Sequence, residues 1–113
     1  MGNRASLSFK KVMSMNYVDE SVVLFSHWLG EDLAKKANDY IVELKTELEN
    51  KPMLRMTPLG RLEPSTVMVD FIRWLTKDLS RVENDLYLGR DENDGDNSDN
   101  GHFTVILTDE QYE

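Results

Sequence analysis

Apolar and polar residues alternate along the first part of the chain. Within residues 4–10, Ala5, Leu7 and Phe9 fall on one side and two serines fall on the other. A period of two is the side-chain repeat of a β-strand with one buried face. Residues 21–28 are also rich in β-forming side chains. They predict a second strand that forms a hairpin with the first.

Two later segments repeat apolar residues at helical spacing. The first covers residues 33–49 and is preceded by Glu31 and Asp32, whose negative charges favour a helix start. Its apolar stripe is Leu33, Ala37, Tyr40, Ile41, Leu44 and Leu48. The second begins at Pro64 and continues through Leu79. Its stripe is Val67, Met68, Phe71, Ile72, Leu75 and Leu79. Each spacing predicts an amphipathic helix.

Two more apolar runs, residues 85–88 and residues 103–108, predict the last two strands. We call residues 89–102, which separate them, the acidic loop, and we expect it to close a second hairpin. The order ββααββ predicts one α+β domain over residues 1–113. Its sheet is expected to be four-stranded and mostly antiparallel, with both amphipathic helices on one face. Residues 109–113 are expected to form a flexible tail.

The overall charge narrows the classes of partner. A formal net charge of -8 opposes nucleic-acid binding, which needs clustered Lys and Arg, and favours basic proteins or cations. No apolar run reaches the roughly 18 residues of a membrane span, and no signal-peptide core is seen at the N-terminus. Because there is also no cysteine, we predict a cytoplasmic protein. We favour a small acidic, non-catalytic interaction domain that binds a protein partner or forms a homodimer.

The acidic loop also matches the start of a calcium-binding loop. Residues 91–101 carry five carboxylates and no apolar residue, with Gly101 at the sixth position of the motif. The candidate ligands are Asp94, Asp96, Ser98, Asn100, the carbonyl of His102 and the hydroxyl of Thr104. Leu107 stands where a bidentate Glu is expected. Two interpretations therefore remain: a weak calcium site over Asp96–Thr104, or a solvated loop rich in turn-forming residues with no cofactor.

The first part of the chain resembles a group of small prokaryotic and phage-encoded proteins of unknown function. The resemblance rests on the opening Met1–Ala5 and on Val23–Trp28 followed by Gly30. It covers roughly residues 1–30, and Leu29 departs from its pattern. The resemblance implies no activity.

The resemblance and the predicted hairpin together indicate a polar patch near the N-terminus. Its residues are Asn3, Arg4, His27 and Trp28. Such a patch would suit a small anion or a partner carboxylate. An enzyme using His27 with Arg4 is a third hypothesis. Trp74 lies beside the stripe of the second helix, where an exposed tryptophan would anchor an interface.

Overall fold

The computed structural model describes residues 3–14, 17–77 and 85–108 of the chain. It confirms a mixed helix-and-strand fold of the α+β class. Within these residues there are five strands: β1 (Ala5–Ser14), β2 (Tyr17–Glu20), β3 (Val23–Ser26), β4 (Leu86–Gly89) and β5 (His102–Leu107). The two α-helices are α1 (Glu31–Asn50) and α2 (Pro64–Thr76), and a 3-10 helix spans Pro52–Met56 between them.

Strand β1 is the centre of a five-stranded sheet. One of its edges pairs antiparallel with β2 and then with β3, and its other edge pairs with β5, which runs parallel to it. Strand β4 pairs antiparallel with β3. The predicted hairpin between the last two strands is therefore wrong. Strands β4 and β5 both run in the same direction as β1, and they lie on opposite sides of β1 within the sheet. A tight hairpin joins only antiparallel neighbours.

Of the strand predicted over residues 21–28, Val23–Ser26 forms β3, and the preceding residues, for which no strand was predicted, form β2. Ser21 lies between the two strands. The backbone N–H of Ser21 donates to the carbonyl of Phe9, while the Ser21 Oγ accepts from the backbone N–H of Phe9. The backbone carbonyl of Phe9 is thus bonded by the main chain of Ser21, and the backbone N–H of Phe9 is bonded by its side chain. This irregularity separates the pairing of β1 with β2 from the pairing of β1 with β3. Strand β2 is the fifth strand, in addition to the predicted four.

One face of the sheet, which we call the helix face, packs against both helices. Ala5, Leu7 and Phe9 of β1 are fully buried in the same cluster as the apolar stripe predicted for α1. All six residues of that stripe are buried, which confirms the predicted periodicity. Helix α2 contributes Val67, Met68 and Phe71 to the cluster. Both helices therefore lie on one face, as predicted.

The ends of three predicted elements differ or remain untested. Helix α2 ends at Thr76, whereas its prediction continued to Leu79, which lies outside the described residues together with the predicted tail, residues 109–113. Strand β1 continues to Ser14, four residues beyond its prediction. Neither helix in the described parts of the chain is long and apolar enough to cross a bilayer.

Candidate functional site

The acidic loop crosses the face of the sheet opposite the helices, which we call the loop face. It leaves the end of β4 at one edge and enters β5 at the other, so it passes over β3 and β1. The Asn97 side chain donates to the Ser6 Oγ of β1 at 2.9 Å and to the Glu92 carbonyl at 3.0 Å. The loop is therefore packed on the sheet rather than projecting from it.

Two aromatic rings of the sheet lie under the acidic loop. Phe25 of β3 and Tyr87 of β4 stack with their ring centroids 5.0 Å apart and an interplanar angle of 8°. The Tyr87 hydroxyl accepts the backbone N–H of Asp96 at 2.9 Å. A Cβ added to Gly95 would lie 2.8 Å from Tyr87 and 2.9 Å from Phe25. The glycine thus allows the loop backbone to approach the rings closely.

Arg4 holds the part of the acidic loop that contains Asp96 and Asp99. Its guanidinium bonds Asp96 at 2.5 Å and Asp99 at 2.9 Å, and its backbone N–H donates to Asp99 as well. The Arg4 side chain, ahead of the backbone N–H, lowers the pKa of Asp99. The backbone N–H and the hydroxyl of Ser98 lower the pKa of Asp96, and Arg4 adds to that effect. These carboxylates favour their charged forms where they sit.

We expect acid to release this anchor. The pKa of Asp96 and of Asp99 lies below the ordinary 3.8 in the folded protein. Their contribution to stability is therefore present above pH 3.8 and is lost as the pH falls through the folded values. We expect Arg4→Gln to lower the melting temperature by a few degrees near neutral pH, since exposed ion pairs are weak. That difference should shrink below about pH 4. A difference that stays constant in pH-dependent melts would contradict the role of these ion pairs.

His102 joins two buried serines on the loop face. Its Nδ1 lies 2.7 Å from the Ser6 Oγ, and its Nε2 lies 3.0 Å from the Ser8 Oγ. Ser8 also donates to the Glu20 carboxylate of β2 at 2.7 Å. Both serines are fully buried, because the loop and the His102 ring cover polar positions that would otherwise face solvent.

The hydrogen bonds assign one tautomer to a neutral His102 ring. Because Ser8 gives its proton to Glu20, its oxygen must accept from Nε2–H. Nδ1 then accepts the hydroxyl proton of Ser6, whose oxygen accepts from Asn97. Every donor in this chain has an acceptor, so the polar face is satisfied without solvent. The chain of hydrogen bonds ends at Glu20 and orients its carboxylate.

Beside this network, a cleft of about 210 Å³ opens between the acidic loop and the sheet. It is lined by Glu20, Ser21, Val23, Arg90, Asp91, Glu92 and His102. Sequence reasoning missed Ser6, Ser8 and Glu20 as parts of a site. The available signal was weak: alternation placed the two serines on the face opposite the core, and a glycine-containing loop can approach a sheet closely.

The predicted calcium ligands are occupied by groups of the protein itself. Asp96 binds Arg4, which also binds Asp99, a residue outside the predicted ligand set. Asp94 accepts the backbone N–H of Arg90, which lowers the Asp94 pKa. The Asn100 amide donates to the Asn3 Oδ1 at 2.6 Å. Among the described residues, no three His, Asp or Glu side chains converge to hold a metal ion.

Ser98, the His102 ring and Thr104 have contacts or pairings of their own. The Ser98 hydroxyl donates to Asp96, the His102 ring bonds the two serines of β1, and Thr104 lies in β5 opposite Ser8. A calcium ion would have to displace Arg4 from Asp96. The calcium hypothesis stays a prediction.

The structure brings together part of the predicted polar patch. The backbone N–H of Asn3 donates to the His27 carbonyl at 2.6 Å, and the His27 ring lies 5.2 Å from that of Tyr87. Trp28 is exposed next to them, with its backbone N–H bonded to Asp85. Arg4 instead turns its guanidinium to the acidic loop. An enzyme using His27 with Arg4 stays an untested hypothesis.

Trp74 lies apart from these residues, among the helices that pack on the helix face of the sheet. Its indole N–H donates to Glu43 of α1 at 2.9 Å, and its ring is 5.7 Å from Tyr40. Tryptophan N–H groups usually find a partner when the ring is partly buried. Trp74 thus links the two helices of the core.

Comparisons with known proteins add no relative to this geometry. No family model, no curated protein and no solved structure matches the chain. A proposal about function therefore has to be argued from the geometry of the chain itself, and above all from the loop face described above.

Proposed function

We propose that this chain is a small non-catalytic interaction domain that binds a basic segment of a partner protein on the loop face of its sheet. The binding surface is the half of that face which the acidic loop leaves uncovered, together with the adjoining cleft. The observation that carries the proposal is an apolar strip next to acidic side chains.

The apolar strip consists of Val12, Val18 and Ile106. The exposed fractions of these residues are 55%, 44% and 47%. Val12 lies opposite Val18, and Ile106 lies opposite Lys10, two positions before Val12 in β1. A sheet with one solvated face normally presents polar side chains there, so three adjoining β-branched residues are unexpected. Burying them against a partner would be favourable.

Charge indicates the nature of the partner. The cleft beside the strip presents three carboxylates, those of Glu20, Asp91 and Glu92, against the single cation of Arg90, and the whole chain carries a formal net charge of -8. A basic surface would be attracted to this face at long range and would dock more rapidly. A second copy of the chain would bring the same negative charge and would be repelled. These charges support a basic partner over a homodimer.

We expect Ile106→Asp to weaken capture of that partner strongly. The test is affinity capture from a cell lysate at low salt, with retained proteins identified by mass spectrometry. A basic protein held by the wild type should be weakened about tenfold or more by Ile106→Asp and by Val18→Asp, because a charge at the centre of an interface disrupts its packing. Binding should also weaken with added salt.

Val42→Asp is the matched control, because Val42 is 65% exposed on α1, on the other side of the sheet. The control should retain the partner at the wild-type level. Melting temperatures of all three variants separate loss of binding from loss of fold. Equal retention by the Val42 and Ile106 variants would contradict the proposal, as would a dimer of the purified wild type that Ile106→Asp dissociates.

A further inference from the structure

The cleft at the edge of the acidic loop has two walls of different chemistry. The sheet supplies the carboxylate of Glu20, the ring of His102 and the buried side chain of Val23. The loop supplies Arg90, Asp91 and Glu92. The cleft thus has carboxylates on both walls, one arginine on the loop wall and the apolar side chain of Val23.

The carboxylate of Glu20 is preorganised by groups buried beneath it. Ser8 donates to Oε2 at 2.7 Å, and His102 holds Ser8 in that orientation from its Nε2. Ser8 is fully buried, so its hydroxyl cannot turn to water instead. A carboxylate held in this way keeps acceptor capacity for a ligand without losing rotamer freedom on binding.

The loop wall is fixed as well, and its charges are only partly compensated. Asn97 holds the carbonyl of Glu92 while it bonds Ser6 of the sheet. The guanidinium of Arg90 is directed to Asp94, with Nε 3.5 Å from the Asp94 Oδ2. In the described parts of the chain, the Glu92 carboxylate has no ion-pair partner. The cleft therefore retains an excess of negative charge.

The size of the cleft limits its occupant. Its volume of about 210 Å³ is below the roughly 300–1,000 Å³ of sites that enclose a complete small-molecule ligand. It fits one long side chain with its head group. A guanidinium suits two facing acidic walls better than an ammonium does, because its planar fork presents five donors and is less strongly hydrated. Its alkyl stem would pack on Val23.

We infer that the cleft binds one arginine side chain of the basic partner segment, with the guanidinium between Glu20 and the carboxylates of Asp91 and Glu92. This inference rests on the proposed function and names the residue that the site recognises. His102 and Ser8 are positioning residues, because they act through Glu20.

The probe is Nα-acetyl-arginine methylamide, titrated into the folded 113-residue chain and followed by backbone amide chemical shifts. We expect millimolar binding with the largest shifts at Ser8, Val23 and His102. Glu20→Gln should weaken binding about tenfold, because it removes the charge and keeps an acceptor for Ser8. Asp39→Asn, which removes an exposed carboxylate on α1, is the control and should leave binding unchanged.

Two further probes test the chemistry of recognition. The citrulline analogue has nearly the same shape without charge and should not bind. The lysine analogue carries the charge without the fork and should bind several-fold more weakly. Equal binding of lysine and arginine, or equal shifts in the Glu20→Gln and Asp39→Asn variants, would overturn the inference.

The two proposals can fail separately. A partner protein that is lost with Ile106→Asp and retained with Glu20→Gln would support the docking face and overturn the arginine site. An arginine probe that binds the cleft, combined with partner capture that Ile106→Asp leaves unchanged, would support the site and overturn the docking face.

Discussion

Phe25→Ala is expected to lower the free energy of unfolding by about 3–5 kcal/mol and to release the acidic loop from the sheet. Phe25 is fully buried, although it lies on the face opposite the helices. What buries it is the stacked ring of Tyr87 and the backbone of the loop at Gly95. Removal of the ring would leave a cavity under the loop and take away the surface on which Tyr87 rests.

Two measurements test this effect. Denaturant unfolding gives the loss of stability, and amide hydrogen exchange under native conditions reports on the Asp96 N–H, which donates to the Tyr87 hydroxyl. We expect the amide of Asp96 to lose protection in Phe25→Ala well before the amides of β1 do.

Phe71→Ala is the matched control for this variant. Phe71 is equally buried, but it lies in α2 among the rings of Phe9, Tyr40 and Trp74 on the helix face. We expect a comparable loss of stability, with the Asp96 amide keeping its protection relative to the sheet. Selective loss of that protection in the Phe71 variant would mean that Phe25 does not hold the loop.

The helices and the antiparallel pairing of β1 with β3 could be predicted from the sequence, whereas the pairing of the last two strands could not. The stripe from Leu33 to Leu48 is a local pattern, and the helix it predicts needs only local backbone hydrogen bonds to form. The partner of β5, in contrast, is a strand almost 100 residues earlier in the chain. Short-range alternation indicates that residues 103–108 form a strand, and says nothing about which edge receives it.

The same limit applies to the candidate site. Every contact of the His102 ring with β1 joins residues more than 90 positions apart. Composition correctly indicated that the acidic loop cannot form a core of its own. It could not indicate that Arg4 and Tyr87 supply a cation and a hydroxyl at positions that hold the loop on the sheet. The Asp-rich pattern is compatible with a calcium loop and with an arginine anchor, because a calcium ion and an arginine side chain both bind carboxylates.

Gly95→Ala is expected to lower the free energy of unfolding by about 1–3 kcal/mol and to abolish binding of the arginine probe. The added Cβ would lie within 3 Å of the stacked rings of Phe25 and Tyr87, which cannot both give way. The loop must therefore lift, which breaks the bond from Asp96 to Tyr87 and displaces the wall of the cleft.

Gly101→Ala separates this steric effect from the effect of backbone conformation. Gly101 has a positive φ of 79° and open space around its Cα, so alanine there costs about 1 kcal/mol of backbone strain without meeting another atom. The φ of Gly95 is not in the positive region, so its substitution tests the contact with the rings alone. If the loop forms the wall of the cleft by its contact with the rings, Gly101→Ala retains probe binding and Gly95→Ala loses it. Equal binding by both variants would mean that the cleft does not depend on how closely the loop approaches Phe25 and Tyr87.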